Sequence, residues 1–464
     1  MSTTARSIVN DNVSPSKVIL TLAWPVFIEQ ILTTLVQSVD TAMVGSLGAS
    51  ATASVSISVT PMMLINGIVM SFGIGFTALI ARCVGAEDYE RANSLTRQAM
   101  STVLLLGIPL AVICYVLSRA IPRWMGAKPD VVALATGYNK IMALSMVFRT
   151  MTMVLTAIYR GYGDTKTPMY INTGINLANV VGNYLLIYEP HQVSLLGRTF
   201  DVWGAGWGVN GAAASSTITA VAGSILLIVI TLNYPGRLRI SFKDSFRLQK
   251  EDMADVTKIS LPAMFERFTM GGASIVIAST VASLGTIAIA SNSLASTAES
   301  FCYMPGFAFS AAATTLMGQS LGARRVDMAQ KYVSTSIKLA GGIMLVMSAA
   351  MFLFANPIIK LFTPDAQVIE MGGVLLKLLA LIQVPYIISM IHSGALRGAG
   401  DTKGPFYITL LSMWGVRVLG ATICVRLLGM GIYSVIVCMD IDNVLRMFLF
   451  RHRFNRGEWK MYHM

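Results

Sequence analysis

Charged residues are scarce. Asp, Glu, Lys and Arg make up only 12% of the 464 residues, about half the share that a soluble surface carries. A string of soluble domains is therefore excluded, although the length would hold several. Cysteine is scarce and unpatterned: Cys83, Cys114, Cys302, Cys424 and Cys438 are odd in number and lie mostly within apolar runs. No CxxC pair, zinc spacing or disulfide framework is present, so neither a structural metal nor any other cofactor is expected. The phosphate-binding GxxxxGK[ST] loop, HExxH, GxSxG and the kinase set are all missing. Uphill solute movement by this chain alone would therefore need an ion gradient. Residues 1–16 are polar and contain no charged-then-apolar leader, so the first apolar segment is expected to stay in the protein.

What the chain has in abundance is apolar sequence, at 54% of residues with a mean hydropathy of +0.64. Twelve apolar segments follow one another at about 17–44, 53–82, 92–121, 130–160, 166–188, 204–233, 253–283, 287–318, 328–355, 366–397, 404–427 and 430–450. Most are long enough to cross a hydrocarbon core of roughly 30 Å. Pro25, Pro61, Pro262, Pro305 and Pro385 fall inside them and predict tilts or kinks. Lysine and arginine concentrate at the two termini, in alternate loops and in the 236–252 linker, which with their flanks hold 23 of the 35; the intervening loops hold 6. That asymmetry accounts for the net charge of +12 without nucleic acid, and it predicts that both termini are cytoplasmic. The expected fold is an all-α polytopic membrane protein.

One stretch occurs twice. Residues 160–168 read Arg-Gly-Tyr-Gly-Asp-Thr-Lys-Thr-Pro, and 397–405, which start 237 residues later, read Arg-Gly-Ala-Gly-Asp-Thr-Lys-Gly-Pro. The same offset places Pro262 on Pro25, Glu266 on Glu29, Ser283-Leu284-Gly285 on Ser46-Leu47-Gly48, Gly322-Ala323 on Gly85-Ala86 and Lys377 on Lys140. The chain is a duplication without net gaps up to that point. Two parallel six-helix repeats follow: 1–235, a cytoplasmic linker at 236–252, and 253–464. The loop at 189–203 has no counterpart of equal length. The repeated motif is read as a hinge, in which the glycines permit a tight turn, Asp and Thr cap the next helix, and Pro fits its first turn.

Ionisable groups inside membrane spans are costly and point to function. In the first span Glu29, Thr33, Gln37 and Asp40 step by i, i+4, i+8 and i+11, which puts them on one stripe of a helix. Asn172, Asn176, Asn179 and Asn183 in the fifth span show the same spacing. The two stripes predict a water-accessible cavity in the N-terminal lobe; interhelical hydrogen bonding that only holds the lobe together is the alternative. Asp40 has no acidic counterpart, because Ile277 occupies the matching position, whereas Glu29 is matched by Glu266. Glu29, Pro25 and Pro262 are accordingly read as gating or structural. Asp40 is read as the cation-coupling group, supported by Gln37, Asn176, Asn179 and Asn183. In the second half Glu266, Glu299, Arg267, Tyr303 and Tyr386 are read as the substrate-binding and electrostatic set. There an anionic wall with aromatic neighbours would attract lipophilic organic cations; an internal Arg267–Glu299 ion pair is the bland alternative. Arg149 is expected to neutralise an acid of the first lobe.

These residues resemble the multidrug and toxin extrusion (MATE) family, over about 17–450. The resemblance is carried by Pro25 through Val39-Asp40-Thr41 and Met43-Val44-Gly45, by the paired Arg-Gly-x-Gly-Asp-Thr-Lys loops, and by Glu299-Ser300 through Met304-Pro305 to Gly318-Gln319-Ser320-Leu321-Gly322-Ala323. It implies two lobes in a V that alternate between outward- and inward-open states in a bacterial cytoplasmic membrane. Cationic or amphipathic compounds would leave in exchange for H⁺ or Na⁺, by a chain acting as a monomer. It marks Asp40 as the family's first-helix acid, Asn179 and Asn183 as its fifth-helix polar positions and Ser216 as a sixth-helix hydroxyl. Two positions depart from the family's branches: Asn183 stands where the DinF-like group carries Asp, and Tyr386 where the NorM-like group carries an acid. With Asp40 present and the tenth-helix acid absent, protons are favoured over Na⁺, which could bind at Asp40 and the Asn carbonyls. A lipid-linked precursor flippase of the same fold group and an intramembrane enzyme are the alternatives. His392, the lone intramembrane histidine, lacks an evident partner for the latter.

Overall fold

The computed structural model describes residues 13–195, 198–234, 238–241 and 244–461. Each apolar segment becomes one long helix or one bent pair. The first half comprises α1 (Pro15–Gly45), α2 (Ala49–Gly85), α3 (Tyr89–Val116), α4 (Pro129–Leu144 with Met146–Tyr162), α5 (Lys166–Ile187) and α6 (Gly208–Leu232). The second half comprises α7 (Lys250–Ala282), α8 (Thr286–Gly322), α9 (Val326–Leu353), α10 (Ala366–Leu381 with Gln383–Gly398), α11 (Lys403–Leu427) and α12 (Ile432–Arg456). Six of these, α1, α2, α3, α6, α9 and α11, are apolar enough on their own to cross a membrane, and α4 and α10 are so as bent pairs. The remaining four are diluted by polar residues, the Asn stripe of α5 and the acids and arginines of α7, α8 and α12 among them. The 189–203 loop holds an antiparallel hairpin, β1 (His191–Leu195) and β2 (Arg198–Val202), which the apolar pattern gave no sign of.

The duplication is visible in the backbone. α4 bends by 51° at Ser145 and α10 by 49° at the matching Ile382, and only the second bend has a proline nearby, Pro385. Proline is therefore not what the two bends share. Pro25, Pro61, Pro262 and Pro305 lie within continuous helices. Glu87 and Arg324, also 237 apart, both adopt left-handed φ (61° and 57°) at the ends of α2 and α8. The repeat breaks in α11, where π-helical turns at Met413–Val418 and Ile423–Leu427 replace the regular helix of α5.

Among the described residues, two interfaces join the halves. The first residues of α1 (Val18, Ile19, Leu22, Ala23 and Val26) are buried in the core formed by α8, α9, α10 and α12, and reciprocally Val256 and Ile259 of α7 are buried among α2, α3 and α4. The second interface is a seam between α2 and α8 at the end that bears the repeated loops, termed the basic face. A Cβ added at Gly85 would meet the Gln319 carbonyl oxygen at 2.0 Å, and one at Gly322 would meet that of Arg82 at 2.0 Å. Only glycine fits at both, as expected where helices approach through small residues. Beside the seam, Thr315 Oγ1 donates to the Arg160 carbonyl (2.9 Å) and Gln319 Nε2 to that of Gly161 (3.0 Å), joining α8 to the end of α4.

Candidate functional site

The two polar stripes of the first half meet side by side. α1 and α5 run parallel in constant register, so each bond links residues 143 apart: Asn172 Nδ2 donates to Glu29 Oε1 (2.7 Å), Asn176 Nδ2 to Thr33 Oγ1 (3.1 Å) and Asn183 Nδ2 to Asp40 Oδ1 (2.6 Å). Asn179 completes the row. With its amide nitrogen turned towards Asp40 it donates to Oδ2 at 3.1 Å, and its oxygen then accepts from the hydroxyls of Ser215 and Ser216 at 3.2 Å. Beside the row lies a cavity of about 310 Å³ bounded by α1, α2, α4, α5 and α6, with Glu29, Gln37, Asp40, Asn66, Arg149 and Asn176 in its wall. Gln37 lines this space but is exposed, and no hydrogen bond joins it to Asp40 among the described residues. The Asn stripe thus hydrogen-bonds between helices and lines a cavity at once.

Glu29 has a second partner. Arg160 Nη2, from the start of the repeated motif, lies 2.9 Å from its Oε2. The duplicated residues do the same: Arg397 Nη2 lies 2.8 Å from Glu266 Oε1, and Thr409, in the place of Asn172, donates to that oxygen at 3.2 Å. Glu266, expected among the substrate-binding groups, is thereby tied into an internal ion pair that repeats Glu29–Arg160. Pro25 and Pro262 stand four residues before these acids, inside α1 and α7. The motif's aspartates cap the following helices. Asp164 Oδ1 accepts from the backbone NH of Lys166 and Thr167 (both 3.0 Å) and Asp401 Oδ1 from that of Gly404 (3.0 Å). Gly163 and Gly400 make the preceding turn at φ 86° and 85°, where other residues are strained.

The second half holds a buried polar cluster of another kind. Gln383 Nε2 donates to Glu299 Oε1 (3.1 Å), and Tyr303 stacks at a tilt on Tyr386 with 5.1 Å between ring centroids. Asp442 of α12 is fully buried between two guanidinium groups, Arg417 (2.8 Å) and Arg446 (2.5 Å). The Arg267–Glu299 pair does not form: Arg267 has no ion pair among the described residues, and its near charges are Arg397 and Glu266. The expected substrate-binding set is therefore divided, with Glu266 in the repeat pair, Glu299, Tyr303 and Tyr386 in the interior cluster, and Arg267 between them. The ion-pair partners Arg160 and Arg397, and the Asp442–Arg417–Arg446 group, went unread in the sequence. The offset of 237 would have exposed the first, and a count of charges inside the last two spans the second. His392 is spent structurally, its Nδ1 lying 2.8 Å from the Ile388 carbonyl and its ring edge-on to Phe454.

A comparison with known proteins agrees with this arrangement. The family profile MatE matches twice, at residues 25–185 and 262–423, one match per half. An uncharacterized transporter YisQ of Bacillus subtilis is 25% identical over 95% of this chain and 94% of its own. A probable multidrug resistance protein NorM of Thermotoga maritima is 24% identical over 96% and 93%, and the multidrug resistance protein PmpM of Pseudomonas aeruginosa 27% identical over 86% and 82%. Among solved structures, a multidrug resistance MATE family transporter in an outward-facing conformation superposes with a TM-score of 0.88 (23% identity; 98% of this chain, 99% of that one). A transporter of the wider superfamily from Pyrococcus furiosus, described as having a binding pocket of reverse polarity, gives 0.87 (23%; 99% of each). With both halves matched and the fold shared end to end, this membrane protein belongs to the MatE family of multidrug and toxin extrusion transporters.

Proposed function

We propose that the chain is a secondary antiporter of a bacterial cytoplasmic membrane, with the basic face and both termini in the cytoplasm, that exports amphipathic organic compounds in exchange for protons taken up at Asp40. The observation that carries this reading is the state of Asp40: a carboxylate on a polar cavity, held by amides and by no cation among the described residues. A carboxylate bonded only to neutral groups can gain or lose a proton without breaking an ion pair, which suits it to exchange; the paired Glu29 and Glu266 cannot do so.

Asn179 suits both protonation states. With its nitrogen towards Asp40 it supports the ionised carboxylate; with its oxygen there, it accepts from the protonated one, while its nitrogen donates to Ser215 and Ser216 (3.2 Å each). Protonation would thus turn one amide, replace charge-assisted bonds between α1 and α5 by weaker neutral ones, and remove the negative charge that holds a cationic group in the cavity. The 1–235 and 253–464 lobes then rock about the seam at the basic face. A specific feature favours Na⁺ as a second reading: Asn183 Oδ1 is buried beside Asp40 with no donor, an oxygen a cation could use.

The test is uptake of a fluorescent organic cation into inside-out vesicles under imposed ΔpH or Na⁺ gradients, for wild type and Asp40→Asn. Uptake driven by ΔpH and abolished by the substitution is expected. Uptake that requires Na⁺ moves the coupling to the second reading, and an active Asp40→Asn protein under both gradients refutes coupling at this site.

A further inference from the structure

The second half carries a charged surface feature that neither the transport reading nor the repeat absorbs. Between the starts of α7 and α11, at the basic face, lies an open groove of about 610 Å³ whose wall holds Lys250, Lys258 and Lys403. None of the three lysines forms an ion pair or a side-chain hydrogen bond among the described residues, and no acid lines the groove. Asp252 and Asp255, which share the first turns of α7, point elsewhere, to Arg91 of α3 at 2.9 and 3.6 Å. Asp401, two residues before Lys403, is held by Arg453 at 2.6 Å. Glu251 is exposed next to Lys250 but lies outside the lining.

The residues that follow these lysines along each helix are apolar and exposed. On α7 the exposed stripe runs Lys250, Ala254, Lys258, Leu261, Phe265 and Phe268, at steps of three and four. On α11 it runs Lys403, Tyr407 and Leu411. Phe265 meets Phe406 at a tilt, with 6.3 Å between ring centroids, so the two stripes lie side by side. Lys250 stands about 12 Å from Lys258 along the axis, and Leu261 follows about one turn deeper. Each stripe therefore passes from positive charge at the membrane edge to bare apolar surface within it. The offset of 237 places Val13 and Thr21 on Lys250 and Lys258, and only Lys403 recurs, as Lys166. The lysines of α7 are thus not a requirement of the shared scaffold.

We infer that this groove binds one anionic phospholipid, its phosphate on Lys250, Lys258 and Lys403 and its acyl chains along Leu261, Phe265 and Tyr407. Lysines above apolar surface match a lipid's own order from head to tail, and basic pockets between helices at a membrane edge favour anionic headgroups. A zwitterionic headgroup would bring its own ammonium against three lysines, with no acid in the groove to receive it. The bound lipid bridges α7 to α11. Val256 and Ile259, on the opposite side of the same α7 turns, are buried in the first half, so the lipid braces a segment through which the halves interlock. No residue of the Asp40 cavity takes part, and lipid binding and ion coupling stand or fall separately.

The experiment counts lipid bound to the full-length protein in non-ionic detergent by native mass spectrometry, as dioleoyl phosphatidylglycerol or dioleoyl phosphatidylcholine is added, and reads the apparent unfolding midpoint in the same mixtures. Wild type is expected to bind the first phosphatidylglycerol about fivefold or more tighter than phosphatidylcholine and to gain thermal stability from it. Lys250→Gln, Lys258→Gln and Lys403→Gln combined should bring that ratio within about twofold, and Arg at all three positions should keep it. A control that combines Lys17→Gln, Lys166→Gln and Lys331→Gln, at exposed lysines elsewhere on the basic face, loses the same charge and should keep the preference. An unchanged midpoint in phosphatidylcholine shows that the groove variant is folded. A wild type without the preference, a groove variant that retains it, or a control that loses it equally would overturn the site. Glycerol 3-phosphate should not stabilise the protein; if it does so as well as the lipid, the groove takes a free phosphate and the lipid assignment fails.

Discussion

Replacing Gly85 or Gly322 with alanine puts a methyl group where a carbonyl oxygen already sits. The Cβ would start 2.0 Å from the oxygen of Gln319 or Arg82, and ordinary contact begins near 3.4 Å, so α2 and α8 must part by about 1.4 Å (3.4 less 2.0). Because α4 packs on α2 at Gly161, against Thr77 and Ile80, a shift of α8 away from both also carries the α8–α4 bonds Thr315–Arg160 and Gln319–Gly161, 2.9 and 3.0 Å long, past hydrogen-bonding range. Overpacking costs about 1–3 kcal/mol and each lost bond about 1 kcal/mol, so each single substitution should destabilise the protein by about 3–5 kcal/mol. The two glycines face each other's helix at one crossing, and a single separation relieves both clashes. The double variant should then lose little more than either single one, a departure from additivity expected only where sites share one displacement. The apparent unfolding midpoint of the purified protein, read by intrinsic fluorescence, measures all three variants. Losses that sum, or a single variant as stable as wild type, would refute the seam as one shared close contact.

The repeated ion pairs make a matched prediction. Glu29→Gln and Glu266→Gln each strand a largely buried arginine and should cost about 3–5 kcal/mol, whereas Glu29→Gln with Arg160→Gln should recover much of that; unequal halves or a double variant worse than the single would contradict the geometry. Asp442→Asn leaves Arg417 and Arg446 facing each other without their shared carboxylate, and should lower the yield of folded, monodisperse protein more than Asp440→Asn, at an acid of the same helix with no ion pair among the described residues. Asp164→Ala removes the bonds its carboxylate accepts from two backbone NH groups at the start of α5 and from the hydroxyls of Thr167 and Tyr234, and should cost about 2–4 kcal/mol, with thermal stability as the readout.

The first-half site was legible because its code is helical: residues at steps of three and four share a face, and both stripes announced themselves in one dimension. What joined them, a constant separation of 143 residues between parallel helices, is a tertiary register that no single span contains. The partner of Glu29 was hidden for a different reason. Arg160 opens a motif whose glycines and proline drew the reading towards backbone turns, although its side chain reaches back to α1. The second half misled because charges in neighbouring spans invite pairing: Arg267 adjoins Glu266 on α7 and Glu299 lies on the next helix, α8, yet Glu266 takes Arg397 and Arg267 pairs with neither acid. The twelve-span count came from long apolar runs and appears again as twelve helices or bent pairs, but the 189–203 hairpin lies in a loop with no apolar period to report it.

The reciprocal burial of the starts of α1 and α7 has an evolutionary corollary. Five apolar side chains of the first repeat fill the second repeat's interior, and Val256 and Ile259 fill the first's. A six-helix unit on its own would leave a slot in its core and carry an unsheltered apolar segment that fits that slot in another copy. A single repeat would therefore be suited to pair with a second copy by exchanging this first segment, and in the fused chain that pairing is made between two halves free to differ. The fused chain carries Asp40 and Arg149 in one half where Ile277 and Tyr386 stand in the other. Two separately encoded halves, split within the 236–252 linker and produced together, should still find each other.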